Sequence, residues 1–253
     1  MANIIAVLNQ KGGVGKTTSA INLAAYLARD GRKVLVCDGD PQGNSTSGLG
    51  IDKHSVKATL YDVLFSKAEV DKAITKTNIK NLFVLPSNEQ LAASEVELVQ
   101  LPGREYYLRH VLENLEYDYI LIDCPPSLGL LTVNALCAAS DVLIPVQAEY
   151  YALEGLSQLL SVIQQVQAGL NPNLNILGVV LTLYDNRNSL SSQVKDELEK
   201  HFGNKLFKTI IPRNVRLAEA PSFGRTIIEH DKWSKGARAY KSLARELERH
   251  ING

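Results

Sequence analysis

Apolar positions along this chain follow two periods. Short runs rich in β-branched residues recur at Ile4–Asn9, Lys33–Asp38, Leu82–Leu85, Tyr119–Asp123, Val142–Val146, Ile176–Thr182 and Leu206–Ile211. Several, such as Ile120-Leu121-Ile122, show no polar alternation, which predicts strands buried on both faces and hence a mostly parallel sheet. Between them, Thr17–Arg29, Leu130–Ala138, Leu153–Ala168, Leu190–Phe202 and Arg238–Ile251 carry the helical period, with Ser189 placed as N-cap of the fourth. Strand–helix alternation implies right-handed crossovers. The expected fold is α/β: one doubly wound, mostly parallel sheet with helices on both faces. No repeat, low-complexity tract or long linker interrupts residues 1–253, so one domain is expected.

Composition narrows the class. Apolar residues make up 45% of the chain, enough for a sizeable core. No apolar run approaches the ~20 residues of a membrane span. Ile4–Leu8 is short, lacks a basic lead-in and runs into a glycine loop, unlike a signal peptide. Cys37, Cys124 and Cys137 are odd in number and lack metal-ligand spacing, which suits a reducing, cytoplasmic setting. Formal net charge is zero, yet residues 205–253 hold 11 Lys/Arg against 5 Asp/Glu. That asymmetry fits either a basic face for a polyanion or an ordinary solvated helix.

The first run leads into Gln10-Lys11-Gly12-Gly13-Val14-Gly15-Lys16-Thr17-Thr18 and then a helix. Backbone N–H groups in such a loop converge on an anion at a helix N-terminus, and the glycines permit its close approach. Lys16 is expected to reach the β- and γ-phosphates of a nucleotide, and Thr17 to ligate Mg²⁺. The usual motif has Gly five residues before its last Gly; here that position is Gln10, followed by a second lysine, Lys11. Asp123 ends an apolar strand, where a carboxylate can hold Mg²⁺ through water. Pro125 and Pro126 stiffen the exit of that strand.

The string KGGVGKTT resembles the deviant Walker A motif of the ParA/MinD ATPases, with Lys11 as their signature lysine. The resemblance extends through DGDPQGN (38–44), similar to a first switch segment, and ILIDCPPSLG (120–129), similar to a Walker B strand and second switch. PVQAEYYALEGL (145–156) and IPRNVRLAEAPSFG (211–224) are similar to segments of the chromosomal Soj type. The resemblance implies that the loop from Lys11 to Thr18 binds ATP, that Asp40 orients the attacking water, and that Asp38 lies near the Mg²⁺ shell. It implies that Lys11 crosses a dimer interface to the partner's nucleotide, and that Pro212 and Asn214 meet the adenine. Gly39 stands where a larger apolar residue is expected and should loosen the first switch.

The implied function is ATP-dependent DNA segregation. An ATP-sandwich homodimer binds DNA without sequence preference, and a ParB/Spo0J-like protein stimulates hydrolysis and release. Arg187 and Arg216 stand where Soj-type relatives use arginines on DNA; Lys195 and Arg245 follow on charge and helical exposure alone. With the loop starting at residue 11, no N-terminal operator-reading domain is expected. Two alternatives remain: a MinD-like ATPase cycling on membranes, or a ParA-like positioner of protein or organelle cargo. The stripe Tyr240, Leu243, Ala244, Leu247 and Ile251 is interrupted by Glu246 and Glu248. It therefore fits packing on its own domain better than a bilayer, so no stable membrane association is expected. The expected location is the cytoplasm, on the nucleoid.

Overall fold

A computed structural model describes residues 2–149 and 152–253. Tyr150 and Tyr151, within the family-like segment 145–156, lie outside the described residues. Among the described residues seven strands form one sheet: β1 Asn3–Val7, β2 Val34–Asp38, β3 Thr75–Lys76, β4 Leu82–Leu85, β5 Tyr119–Asp123, β6 Asp141–Gln147 and β7 Asn175–Thr182. Their order is β3-β4-β2-β5-β1-β6-β7, and only the edge pair β3–β4 is antiparallel. Fold class and sheet direction are those expected from the unbroken apolar runs.

Alternate residues of β1 feed two cores. Ile5 and Val7 join the face covered by the helices Lys16–Arg29 and Lys235–Asn252. Ala6, with Leu8 just past the strand, joins the face covered by Leu130–Ala138, Ala152–Gly169 and Ser189–Phe202. β1 is therefore buried on both sides, and the loop that follows it is anchored in the middle of the molecule.

Three expectations need correction. Leu206–Ile211 is not a strand. Phe207 N–H donates to Val179 O (2.9 Å) and Ile211 N–H to Leu181 O (2.8 Å), so the segment touches β7 at both ends. Between them the amides of Lys208 and Thr209 donate instead to the buried carboxylate of Glu246, at 2.7 and 2.9 Å. A side chain of the C-terminal helix thus takes the donors a ladder would need. The helix N-cap is Asn188, whose side chain accepts from Leu190 N–H, and Ser189 is the first helical residue. The C-terminal helix starts three residues earlier than expected, at Lys235, where Ser234 caps it through Ala237 N–H. Its stripe of Tyr240, Leu243, Ala244 and Leu247 is buried in the core. No helix among the described residues is long and apolar enough to cross a membrane.

Candidate functional site

The carboxyl ends of β1, β2 and β5 open onto one cavity of about 420 Å³. Crevices beyond strand carboxyl ends are where open α/β sheets bind ligands. Gly12, Gly13, Gly15, Lys16, Thr17 and Thr18 form one wall. Gly13 and Gly15 have φ of 76° and 89°, and Gly15 is the left-handed N-cap of the helix Lys16–Arg29. A Cβ at Gly12 or Gly13 would meet no protein atom, so packing alone does not require either to be small. Both leave space directly over the loop amides. Val14 is buried, and its carbonyl accepts from Thr182 Oγ1 at 2.7 Å, which ties the loop to the end of β7.

Lys16 is only 7% exposed. Its Nζ donates to Lys11 O at 3.1 Å, curling over the loop. Burial lowers its pKa, while Asp123, Cys124 and Asp40 pull the other way. An anion in the cavity would satisfy this ammonium better than a carbonyl does.

Opposite the loop stand two acids in register, Asp38 on β2 and Asp123 on β5. Both are fully buried. Asp38 accepts from Thr46 N–H (2.7 Å), Thr46 Oγ1 (2.6 Å) and Asp40 N–H (3.3 Å). Burial and the neighbouring Asp123 push it up to about 7. Asp123 Oδ2 accepts from Ser45 Oγ at 2.8 Å, whereas Oδ1 is buried with no hydrogen-bond partner. Burial raises Asp123 to about 6 against the opposing effect of the Thr17 and Ser45 hydroxyls. Two buried carboxylates, one with an unpartnered oxygen beside Thr17, make a site short of a cation. No group of His, Cys, Asp and Glu among the described residues could hold a metal alone. Mg²⁺ takes few protein ligands and completes its shell with phosphate and water. The three cysteines are buried and free.

Asp40 lines the cavity, with Oδ1 accepting from Gln42 N–H (2.9 Å) and its carbonyl from Ser87 Oγ (2.9 Å). The expectation that Gly39 loosens this segment is not met. Gly39 N–H donates to Asp123 O at 2.9 Å, and a Cβ there would lie 2.9 Å from that same oxygen. Glycine lets the exits of β2 and β5 lie closely side by side.

Other expected residues separate. Asn214 reaches the cavity, and its Oδ1 accepts from Leu217 N–H at 3.3 Å. Pro212 is absent from the cavity wall and is bridged to Tyr184. Lys11 turns away: its Nζ pairs with Glu149 Oε2 at 2.8 Å, while Gln147 Nε2 holds the other carboxylate oxygen. Arg187 and Arg216 are exposed but paired. Arg187 makes a two-pronged contact with Asp185 (3.0 and 2.8 Å) and, with Arg213 helping, holds that carboxyl down at about 2. Arg216 Nη1 contacts Glu219 at 2.9 Å. Sequence reasoning missed Ser45, Thr46 and Ser87, which brace the acids. It also missed the far wall of Leu183, Ile211, Leu217 and Tyr240. Ser45 and Thr46 directly follow the DGDPQGN string, a position that could have flagged them.

A family model described as an AAA domain matches residues 2–176. The chain is 55% identical over 249 residues to sporulation initiation inhibitor protein Soj of Bacillus subtilis (strain 168), covering 98% of each. It is 52% identical over 248 residues to chromosome partitioning protein ParA of Caulobacter vibrioides (strain NA1000 / CB15N), covering 96% of this chain and 93% of that one. Among solved structures, cobyrinic acid a,c-diamide synthase from Mycobacterium smegmatis, with bound ADP and magnesium, superposes with a TM-score of 0.89 at 38% identity. That match covers 100% of this chain and 96% of the other.

Proposed function

The chain belongs to the ParA/Soj family of chromosome-partitioning ATPases, and from that premise we propose that it is a DNA-segregation switch worked by an ATP-sandwich dimer. It is an ATPase whose cofactors are ATP and Mg²⁺. In our reading the amides of residues 12–18 and the Lys16 ammonium hold the phosphates. Thr17, with Asp123 acting through water and Asp38 behind it, holds Mg²⁺. Bound Mg²⁺ would neutralise charge on the β- and γ-phosphate oxygens. Asp40 orients water toward the γ-phosphate, and Asn214 faces the base.

The observation that carries the dimer is Lys11. Its ammonium leaves its own cavity and is held by Glu149, with side chains 41% and 46% exposed. Such a half-exposed pair is worth about 0–1 kcal/mol, so a stronger anion can take the lysine at little cost. A triphosphate on a second copy is that anion, and a diphosphate is a weaker one. Hydrolysis then loosens the dimer. DNA binding follows from pairing two basic C-terminal regions, each adding contacts to the same duplex. A ParB-like protein would trigger hydrolysis and release, and the dimer would reside on the nucleoid in the cytoplasm. The buried stripe of the C-terminal helix supports the absence of stable membrane association.

Light scattering of Lys11→Ala with ATP tests the reading. The variant should bind ATP and remain monomeric where wild type dimerises. A normal ATP-dependent dimer in the variant removes Lys11 from the interface.

A further inference from the structure

Of the large apolar side chains exposed among the described residues, three cluster in one stretch: Val215 (70%), Phe223 (63%) and Trp233 (78%). Contacts run from the Phe223 ring to the backbone of Trp233. Phe223 stacks on His230 with centroids 5.2 Å apart, and His230 Nε2 lies 3.4 Å from Glu219. Glu219 receives Arg216 at 2.9 Å, Arg216 Nε lies 3.7 Å from Asp231, and Asp231 accepts from Trp233 N–H at 3.1 Å. The ion pairs of Arg216 therefore tie the Phe223–His230 stack to the backbone of Trp233. In the same stretch of chain Arg213, Arg225, Lys232, Lys235 and Arg238 are exposed and make no ion pair among the described residues. Lys232 Nζ stands 5.3 Å from the centre of the Trp233 ring.

We propose that Trp233, supported by Phe223, is a DNA contact that lays its ring against the sugars of a duplex bound across Arg216. This rests on the DNA-binding reading above and adds to it a non-ionic component. The basic excess of residues 205–253, 11 Lys/Arg to 5 Asp/Glu, gives charge complementarity to a polyanion. A bilayer is disfavoured, because the charged groups of Arg216, Glu219, Asp231 and Lys232 stand among the exposed apolar side chains of this stretch. Contact with the sugars carries no base information, as an unspecific binder requires. The fold itself makes little use of an indole left so exposed.

Trp233 is the chain's sole tryptophan, so its emission reports this contact alone. The full chain with ATP is titrated with fluorescently labelled duplex DNA, reading DNA anisotropy and Trp233 emission with acrylamide quenching. Saturation with DNA should change the emission and shield the indole. Trp233→Ala should weaken DNA binding about tenfold, the loss expected when a partly buried aromatic side chain is removed. It should leave the log–log salt slope and ATP-dependent dimerisation unchanged, since no phosphate contact is lost. Trp233→Phe should recover most of the affinity. The proposal is overturned if DNA binds and the indole stays silent, with Trp233→Ala binding as wild type. It is also overturned if anionic phosphatidylglycerol vesicles shield Trp233 and DNA does not. Wild type that binds no DNA at all would instead remove the DNA reading of the function.

Discussion

Asn in place of Asp123 should make the nucleotide-free protein more stable at pH 8 and a poorer ATPase. The Asp123 carboxyl is wholly buried, with Ser45 on one oxygen, the Thr17 hydroxyl close by, and no hydrogen-bond partner among the described residues on the other oxygen. Its pKa of about 6 compares with about 4 for an unfolded carboxyl. The folded state therefore keeps a proton that the unfolded chain has released. Stability from this group is full below pH ~4, falls as pH rises toward about 6, and stays low above it. A difference of about 2 in pKa corresponds to about 3 kcal/mol. The amide removes that charge but leaves an unpaired NH₂, a cost of about 1 kcal/mol. The net gain of about 2 kcal/mol should raise Tm at pH 8 by about 4–8 °C for a chain this long. Melts from pH 4 to 8 should show a shallower fall for the variant, and Mg·ATP should stabilise wild type more than the variant. Turnover should drop about 10–100-fold, as when a group orienting a metal's shell is lost. A variant that melts at or below wild type at pH 8 and turns over normally would refute the view of Asp123 as a charge held for a cation.

Three further substitutions separate the steps. Lys16→Ala should abolish ATP binding in calorimetry, because the cradle loses its buried ammonium; unchanged affinity would sink the assignment of the loop. Asp40→Ala should bind ATP and dimerise yet hydrolyse about 100-fold more slowly, the usual scale for a lost catalytic acid or base. Wild-type turnover there would mean another group positions the water. Arg216→Ala should weaken binding to all DNA sequences alike and flatten the log–log salt slope by about one unit. An unaltered slope would show that its pairing with Glu219 and Asp231 keeps it off the phosphates.

What the sequence disclosed depended on how local each cause is. Ile120-Leu121-Ile122 announces a buried strand because burial on both faces needs no partner information. The loop from Lys11 to Thr18 was visible because its chemistry lies in consecutive residues. By contrast, Leu206–Ile211 looks like a strand until Glu246, far along the chain, takes the amides of Lys208 and Thr209. The Lys11–Glu149 pair spans 138 positions and has no local signature. Gly39 was misread because its role is the close approach of β2 and β5, which sequence does not display. The short helices between Gly39 and Asp118 are too brief to show a period; Leu60–Leu64 and Tyr107–Leu112 span one or two turns each.

The central claim is that ATP assembles the DNA-binding form. The most direct measurement follows mass by light scattering and labelled-duplex anisotropy on one sample, with ATP, with ADP and without nucleotide. The account predicts a dimer and DNA binding that appear together, only with ATP, on any sequence, and that weaken steeply with salt. DNA binding by the ADP-bound monomer, or an ATP dimer with no affinity for DNA at low salt, would contradict it.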